Sequence, residues 1–151
     1  MNIVLVSPEI PQNTGNIART CACTNSALHL VKPFSFEIND KQLKRAGLDY
    51  WDKVKVFYYD NFEQLLAKNS GANLYYIETG GKRIYSDVKF KLNDFLVFGK
   101  ETTGIPKEIL EKYPDKIITI PMANNIRSLN LSNCVALVLY EALRQIGFDF
   151  N

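Results

Sequence analysis

A chain of 151 residues with 46% hydrophobic content has the size and apolar share of one globular domain, residues 1–151, with a sizeable core. Its formal net charge of +2 excludes a polybasic tail or an acidic arm, so a nucleic-acid partner must be met by local basic patches. Cys21, Cys23 and Cys134 lack metal-ligand spacing, no apolar run is long enough to span a membrane, and the N-terminus lacks a signal-peptide pattern. The expectation is a cytoplasmic protein with reduced thiols, no metal and no membrane association.

Residues 2–6 form a short apolar run ended by Ser7-Pro8, the pattern of a buried strand. Across 14–24, Ile17, Ala18, Cys21 and Ala22 make a helical stripe, and Asn13 stands where a cap residue belongs. Cys21 and Cys23, two apart on that helix, point to different faces and cannot chelate together. Residues 28–31 read as a second strand ended by Pro33, and 40–46 as a short basic helix closed by Gly47. Further strands are expected at 54–58, 74–77, 95–98 and 117–120, and further helices at 62–68, 107–112 and 131–146. Strands alternating with helices at this spacing predict an α/β fold, a single domain with a mostly parallel sheet flanked by helices.

The last helix carries Leu131, Val135, Ala136, Leu137, Val138, Leu139, Tyr140, Ala142, Leu143 and Ile146, with few polar breaks. A helix apolar around most of its circumference must be covered on more than one side. The sheet covers one side; in so small a domain the other is most simply covered by a second copy, which predicts a symmetric homodimer.

Three polar loops follow strands and lead towards helices: 11–19, 98–106 and 120–133. In an open α/β sheet, ligands bind outside the carboxyl ends of the strands, so the three loops read as one composite site. The first offers Gln12, Asn13, Asn16 and Arg19 near a helix start, where backbone N–H groups attract anions. It matches neither the dinucleotide fingerprint nor the Walker loop. In the second, Gly99 and Gly104 flank Glu101, an acceptor able to order a partner loop. In the third, Asn124, Asn125, Arg127, Ser128, Asn130, Ser132 and Asn133 outnumber what capping needs, although Asn130 or Ser132 can cap the helix that follows. His29, the only histidine, has no nucleophile motif with it and reads as a core residue. Lys41, Lys44 and Arg45, with Tyr50 and Trp51 close behind, form a basic face whose aromatic neighbours suit stacked bases, and Lys82 and Arg83 form a second basic spot.

The segments NIVLVSPEIPQNTGNIART, LVFGKETTGIP and IPMANNIRSLNLSNCVALVLYEALRQ resemble the three signature motifs of the SPOUT methyltransferases, and KQLKRAGLDYW extends the likeness through the middle. More narrowly, the chain is similar to the TrmL-type tRNA ribose methyltransferases. That resemblance implies a C-terminal deep trefoil knot, a homodimer, and transfer of a methyl group from S-adenosylmethionine, leaving S-adenosylhomocysteine. The acceptor it implies is the 2′-oxygen of the wobble-position pyrimidine, nucleotide 34, in the anticodon stem-loop of tRNAs, leucine tRNAs in particular. It assigns cofactor contacts to Ile77, Gly99, Ile120 and Ser128, with Leu129 adjacent, and a catalytic set to Arg19, Asn130, Ser128, Glu101 and Asn16. RNA contacts would fall to Lys41, Lys44, Arg45 and Arg127. Two places depart from the pattern: Lys100 stands where relatives often carry proline, and the stretch 123–126 before Arg127 is unusual. The family assigns the matched arginine a direct catalytic role, but a guanidinium stays protonated, so clamping phosphate and polarising the hydroxyl suit Arg19 better than accepting a proton. Competing readings are a 2′-O-methyltransferase for another tRNA or ribosomal RNA site, a non-catalytic RNA-binding dimer of the same fold, and a nucleotide hydrolase. The last lacks a phosphate loop and a nucleophile constellation.

Overall fold

Side chains alternate faces along a strand, and β1 (Asn2–Val6) uses both faces for the core. Ile3 and Leu5 enter one apolar cluster and Val4 and Val6 another, across the sheet. Burial on both sides is why the strands read as continuous apolar runs rather than alternating ones. The computed structural model describes residues 1–34, 36, 48–148 and 150.

The other strands are β2 (Ala27–Val31), β3 (Val56–Tyr59), β4 (Leu74–Ile77), β5 (Arg83–Ile84), β6 (Phe95–Phe98) and β7 (Ile117–Thr119). They make one sheet in the order β3-β2-β1-β6-β4-β7-β5, and every pairing is parallel. Among the described residues the α-helices are α1 (Pro11–Cys23), α2 (Phe62–Lys68), α3 (Lys107–Leu110) and α4 (Leu131–Gln145). Ile17, Ala18 and Cys21 of α1 join Val135, Val138, Leu139, Ala142 and Leu143 of α4 on one face. Phe62 and Leu65 of α2 and Ile109 of α3 pack on the other.

The expected α/β architecture is present, with corrections at element ends. Helix α1 begins at Pro11, three residues early, because proline's fixed φ and missing N–H suit the first helical position. Asn13 is therefore not its cap; Ile10 takes that position and offers no side-chain acceptor. The third strand starts two residues later than expected, since a 3₁₀ turn at Leu48–Lys53 occupies the approach. β5 was missed because it has two residues, both exposed, and no apolar run. The expected helix at 40–46 lies outside the described residues. Helix α4 buries one stripe and leaves Leu137 and Tyr140 at 37% and 45% exposure, so part of its apolar surface is uncovered by its own chain.

Candidate active site

The loops leaving β4, β6 and β7 meet the start of α1 around a cleft of about 440 Å³, within the size range of small-molecule sites. Ile77, Glu78 and Thr79 close one wall, and residues 98–104 another. Thr119, Ile120 and Met122 form the floor beside Arg127, Ser128, Leu129 and Asn130, and Ile10 and Asn13 reach in from the first loop.

Two glycines make the second loop possible. A Cβ on Gly99 would overlap the backbone of Gly104 and Ile105, which fold back against it. Gly104 has φ of +71° and lies against the Glu78 carboxylate, so a side chain there would be both strained and blocked. The Gly104 N–H donates to the Lys100 carbonyl at 2.9 Å, closing the loop on itself. Glu78 holds it from outside, accepting from the Ile105 N–H at 2.9 Å and the Thr79 N–H at 2.9 Å.

A hydrogen-bonded chain joins all three loops. The Glu101 carboxylate accepts from the backbone N–H groups of Glu9 (2.8 Å) and Ile10 (3.2 Å) and from Asn13 Nδ2 (2.9 Å). Asn13 Oδ1 accepts from Asn130 Nδ2 at 3.0 Å. Asn130 Oδ1 then caps α4, accepting from the Ser132 N–H at 2.9 Å, the Ser132 hydroxyl at 2.6 Å and the Asn133 N–H at 3.4 Å. The backbone N–H groups just before α1 thus already meet a carboxylate of the chain itself, placed where the positive end of the α1 dipole favours it. Opposite runs a second link: the Thr102 hydroxyl and N–H donate to Glu9 Oε2 at 2.7 and 3.2 Å, and Lys100 Nζ lies 3.7 Å from Glu9 Oε1. Donation from the Thr102 hydroxyl, with Lys100 nearby, holds the Glu9 carboxyl below the ordinary range. The two departures from the family pattern both find places here. Lys100 ties the second loop to the first, and Asn125 takes the left-handed conformation, φ +68°, that asparagine tolerates.

Ile77, Gly99, Ile120, Ser128 and Leu129 all line the cleft, as do Glu101, Asn130 and Arg127. Arg127 Nη2 reaches the Thr102 carbonyl at 3.4 Å. Arg19 and Asn16 do not line it. Arg19 is exposed on α1 with its Cζ 4.8 Å from the centroid of the Tyr50 ring, and exposed Asn16 uses its carbonyl to accept from Thr20 Oγ1 at 3.1 Å. Lys41, Lys44 and Arg45 lie outside the described residues. Sequence reasoning missed Asn13 as the central link and Glu78 as the loop's outer brace. A carboxylate directly after the apolar run 74–77 was the available signal for Glu78.

Among the described residues no group of three or more His, Cys, Asp or Glu is placed to hold a metal ion, and no helix is long and apolar enough to cross a membrane. Burial pushes the Cys21 thiol up to about 12, which makes it an inert core residue. His29 is buried between strands, and desolvation lowers its pKa to about 4, so it is neutral at pH 7.

The SpoU rRNA Methylase family model matches residues 1–140, and the chain belongs to that family. A Listeria innocua protein is 55% identical over 150 residues, 97% of this chain and 89% of its own. The tRNA (cytidine(34)-2′-O)-methyltransferase of Saccharophagus degradans is 47% identical over 148 residues, 97% of this chain and 96% of its own. A solved structure described as giving insight into 2-OH methylation of C/U34 on tRNA is 41% identical, with a TM-score of 0.92 over 97% of this chain and 95% of that one.

Proposed function

We propose that this chain methylates the ribose 2′-oxygen of the pyrimidine at position 34 of tRNA, using S-adenosylmethionine and releasing S-adenosylhomocysteine. The observation that carries this reading is that the five positions assigned to the cofactor line one cleft, held together by the Glu101–Asn13–Asn130 chain. The names of the full-length relatives support the same acceptor. The test is transfer of radiolabelled methyl to tRNA followed by nucleoside analysis. Label in 2′-O-methylcytidine or 2′-O-methyluridine at position 34 is expected. Label elsewhere redirects the enzyme to another RNA site, and no label with no cofactor binding overturns the reading.

The cleft fits a flat heterocycle joined to a polar tail. Ile77, Phe98, Ile120 and Leu129 supply apolar walls, while the loop at Gly99 and Gly104 brings backbone groups close without side chains in the way. Bound there, the cofactor supplies an electrophilic methyl group on a sulfonium centre. The protein's work is then positional. The Asn13 link fixes the loops before substrate arrives, so their dipoles need not reorganise during the reaction. Ser128 and Arg127 are exposed and line the cleft, which supports a role in meeting the nucleotide. Arg19, carrying a guanidinium, serves as a phosphate clamp and hydroxyl polariser rather than a base. On this reading Arg19→Ala lowers turnover by on the order of 1,000-fold, from lost clamping and polarisation, while calorimetry finds cofactor affinity intact. Equal loss of both would make Arg19 structural.

Because Arg19 and Asn16 do not line the cleft of their own chain, we infer a symmetric homodimer formed through the outer face of α4, where Leu137 and Tyr140 are exposed. Sedimentation equilibrium tests it. The family likeness and the insertion of β6 between β1 and β4 support a C-terminal trefoil knot within one domain. We place the enzyme in the cytoplasm with its tRNA. Leucine isoacceptors are the proposed substrates, checked by methylating purified isoacceptors one at a time.

A further inference from the structure

Helix α1 packs against the 3₁₀ turn Leu48–Lys53, and one aromatic ring lies at the junction. Arg19 Cζ stands 4.8 Å from the centroid of the Tyr50 ring and Lys53 Nζ 5.7 Å from it. Both cations are exposed, while Tyr50 is half-buried. The ion pairs among the described residues are Lys32–Asp60, Lys100–Glu9 and Arg144–Glu141, so neither cation has a carboxylate partner there. A ring face attracts each cation through its quadrupole, and it leaves the charge of each in place for a further partner.

From this geometry we infer that Arg19, Tyr50 and Lys53 form a seat for an RNA phosphodiester outside the cofactor cleft of their own chain, with Tyr50 as the positioning residue that fixes the Arg19 guanidinium. The chemistry of the three groups sets the occupant. The guanidinium fork matches two phosphate oxygens, and the ammonium adds a second positive charge at the same ring. Holding Arg19 against a half-buried ring removes rotamer freedom that phosphate binding would otherwise have to remove. The inference rests on the tRNA methyltransferase reading, which supplies the polyanion.

Full-length protein carrying Lys53→Gln, Tyr50→Phe or Tyr50→Leu tests it, through tRNA binding as a function of salt and methyl-transfer kinetics. Lys53→Gln is expected to lower the slope of log affinity against log salt by about 0.7–0.9, one phosphate contact, and to raise KM for tRNA more than it lowers kcat. Tyr50→Leu is expected to cut kcat by roughly 10-fold, with Tyr50→Phe restoring it to within about 2-fold, since both rings present a π face. Calorimetric cofactor affinity that Tyr50→Leu leaves intact separates positioning from misfolding. An unchanged salt slope in Lys53→Gln, or Tyr50→Phe failing as badly as Tyr50→Leu, overturns the seat. A wild-type protein that binds tRNA but transfers no methyl overturns the enzymatic reading instead, and its salt slope against that of Lys53→Gln still decides the seat.

Discussion

Two of the hydrogen-bonded polar networks among the described residues differ in what they border, one near the start of β1 and the other beyond the carboxyl ends of the strands. At the start of β1, His29 Nδ1 meets the Tyr59 hydroxyl at 2.9 Å and its Nε2 meets Asn2 Oδ1 at 3.2 Å, with Asn69 Nδ2 extending to Tyr59 at 3.3 Å. The imidazole is walled by Phe57 and Phe95, ring centroids 4.9 and 5.0 Å away. Beyond the carboxyl ends of the strands, Glu101, Asn13 and Asn130 make a comparable chain around an open cleft. The first contains the residue type most associated with catalysis and is enclosed; the second is made of amides and one carboxylate and opens on a ligand-sized space. Where a polar network sits relative to the strand ends, and what space it borders, says more about function than the identity of its residues.

The comparison breaks most sharply at Gly99. Gly99→Ala forces a methyl into the backbone of Gly104 and Ile105, and the displaced loop is expected to cost cofactor affinity on the order of 1,000-fold, read by calorimetry. The network at the other end responds to acid instead. The unfolded imidazole takes up a proton near pH 6.5, whereas folded His29 resists until about 4. Between those values the unfolded chain binds the extra proton, so stability falls as pH drops through the window, by about 3 kcal/mol in total. Urea denaturation at pH 7 and pH 4 measures this, and His29→Phe should flatten the dependence while methyl transfer at pH 7.5 persists. Loss of transfer in that variant would end the distinction between the two networks.

Smaller effects sharpen it. Glu101→Gln removes the charge at the α1 N-terminus and weakens the bonds to Glu9, Ile10 and Asn13. The expected loss is roughly 1–2 kcal/mol of stability, accompanied by weaker cofactor binding, which His29→Phe should not show. Asn130→Ala removes the α4 cap and frees Asn13, costing about 1 kcal/mol in chemical denaturation. If cofactor affinity is unaffected by both substitutions, the network is merely structural.

Much of this was legible residue by residue. Apolar runs located β1, β2, β4 and β6 closely, since a strand buried on both faces leaves an uninterrupted signature. Glu101 as an acceptor for a neighbouring loop and Asn130 as a helix cap were also visible, the one from its glycine-flanked setting and the other from its place before an apolar helix. Asn13 was misread as a cap because a cap is a local role, and locally it fits one. Its partners are 88 and 117 residues away. Arg19 was legible through its motif, but its ring partner was not, because Tyr50 comes from a turn with no periodic signal.

Sequence by itself determined most of the elements, their α/β alternation, the three polar loops at strand ends and the family likeness, because each depends on short-range periodicity, turn chemistry or contiguous motifs. Tertiary structure alone decided that β6 enters between β1 and β4, that Glu101 occupies the anion position at α1, and that Asn13 joins the site while Arg19 stands outside its cleft. The reason is physical: which strand lies beside which, and which side chain meets which loop, depends on contacts between distant segments that appear only when both faces of the sheet are covered at once.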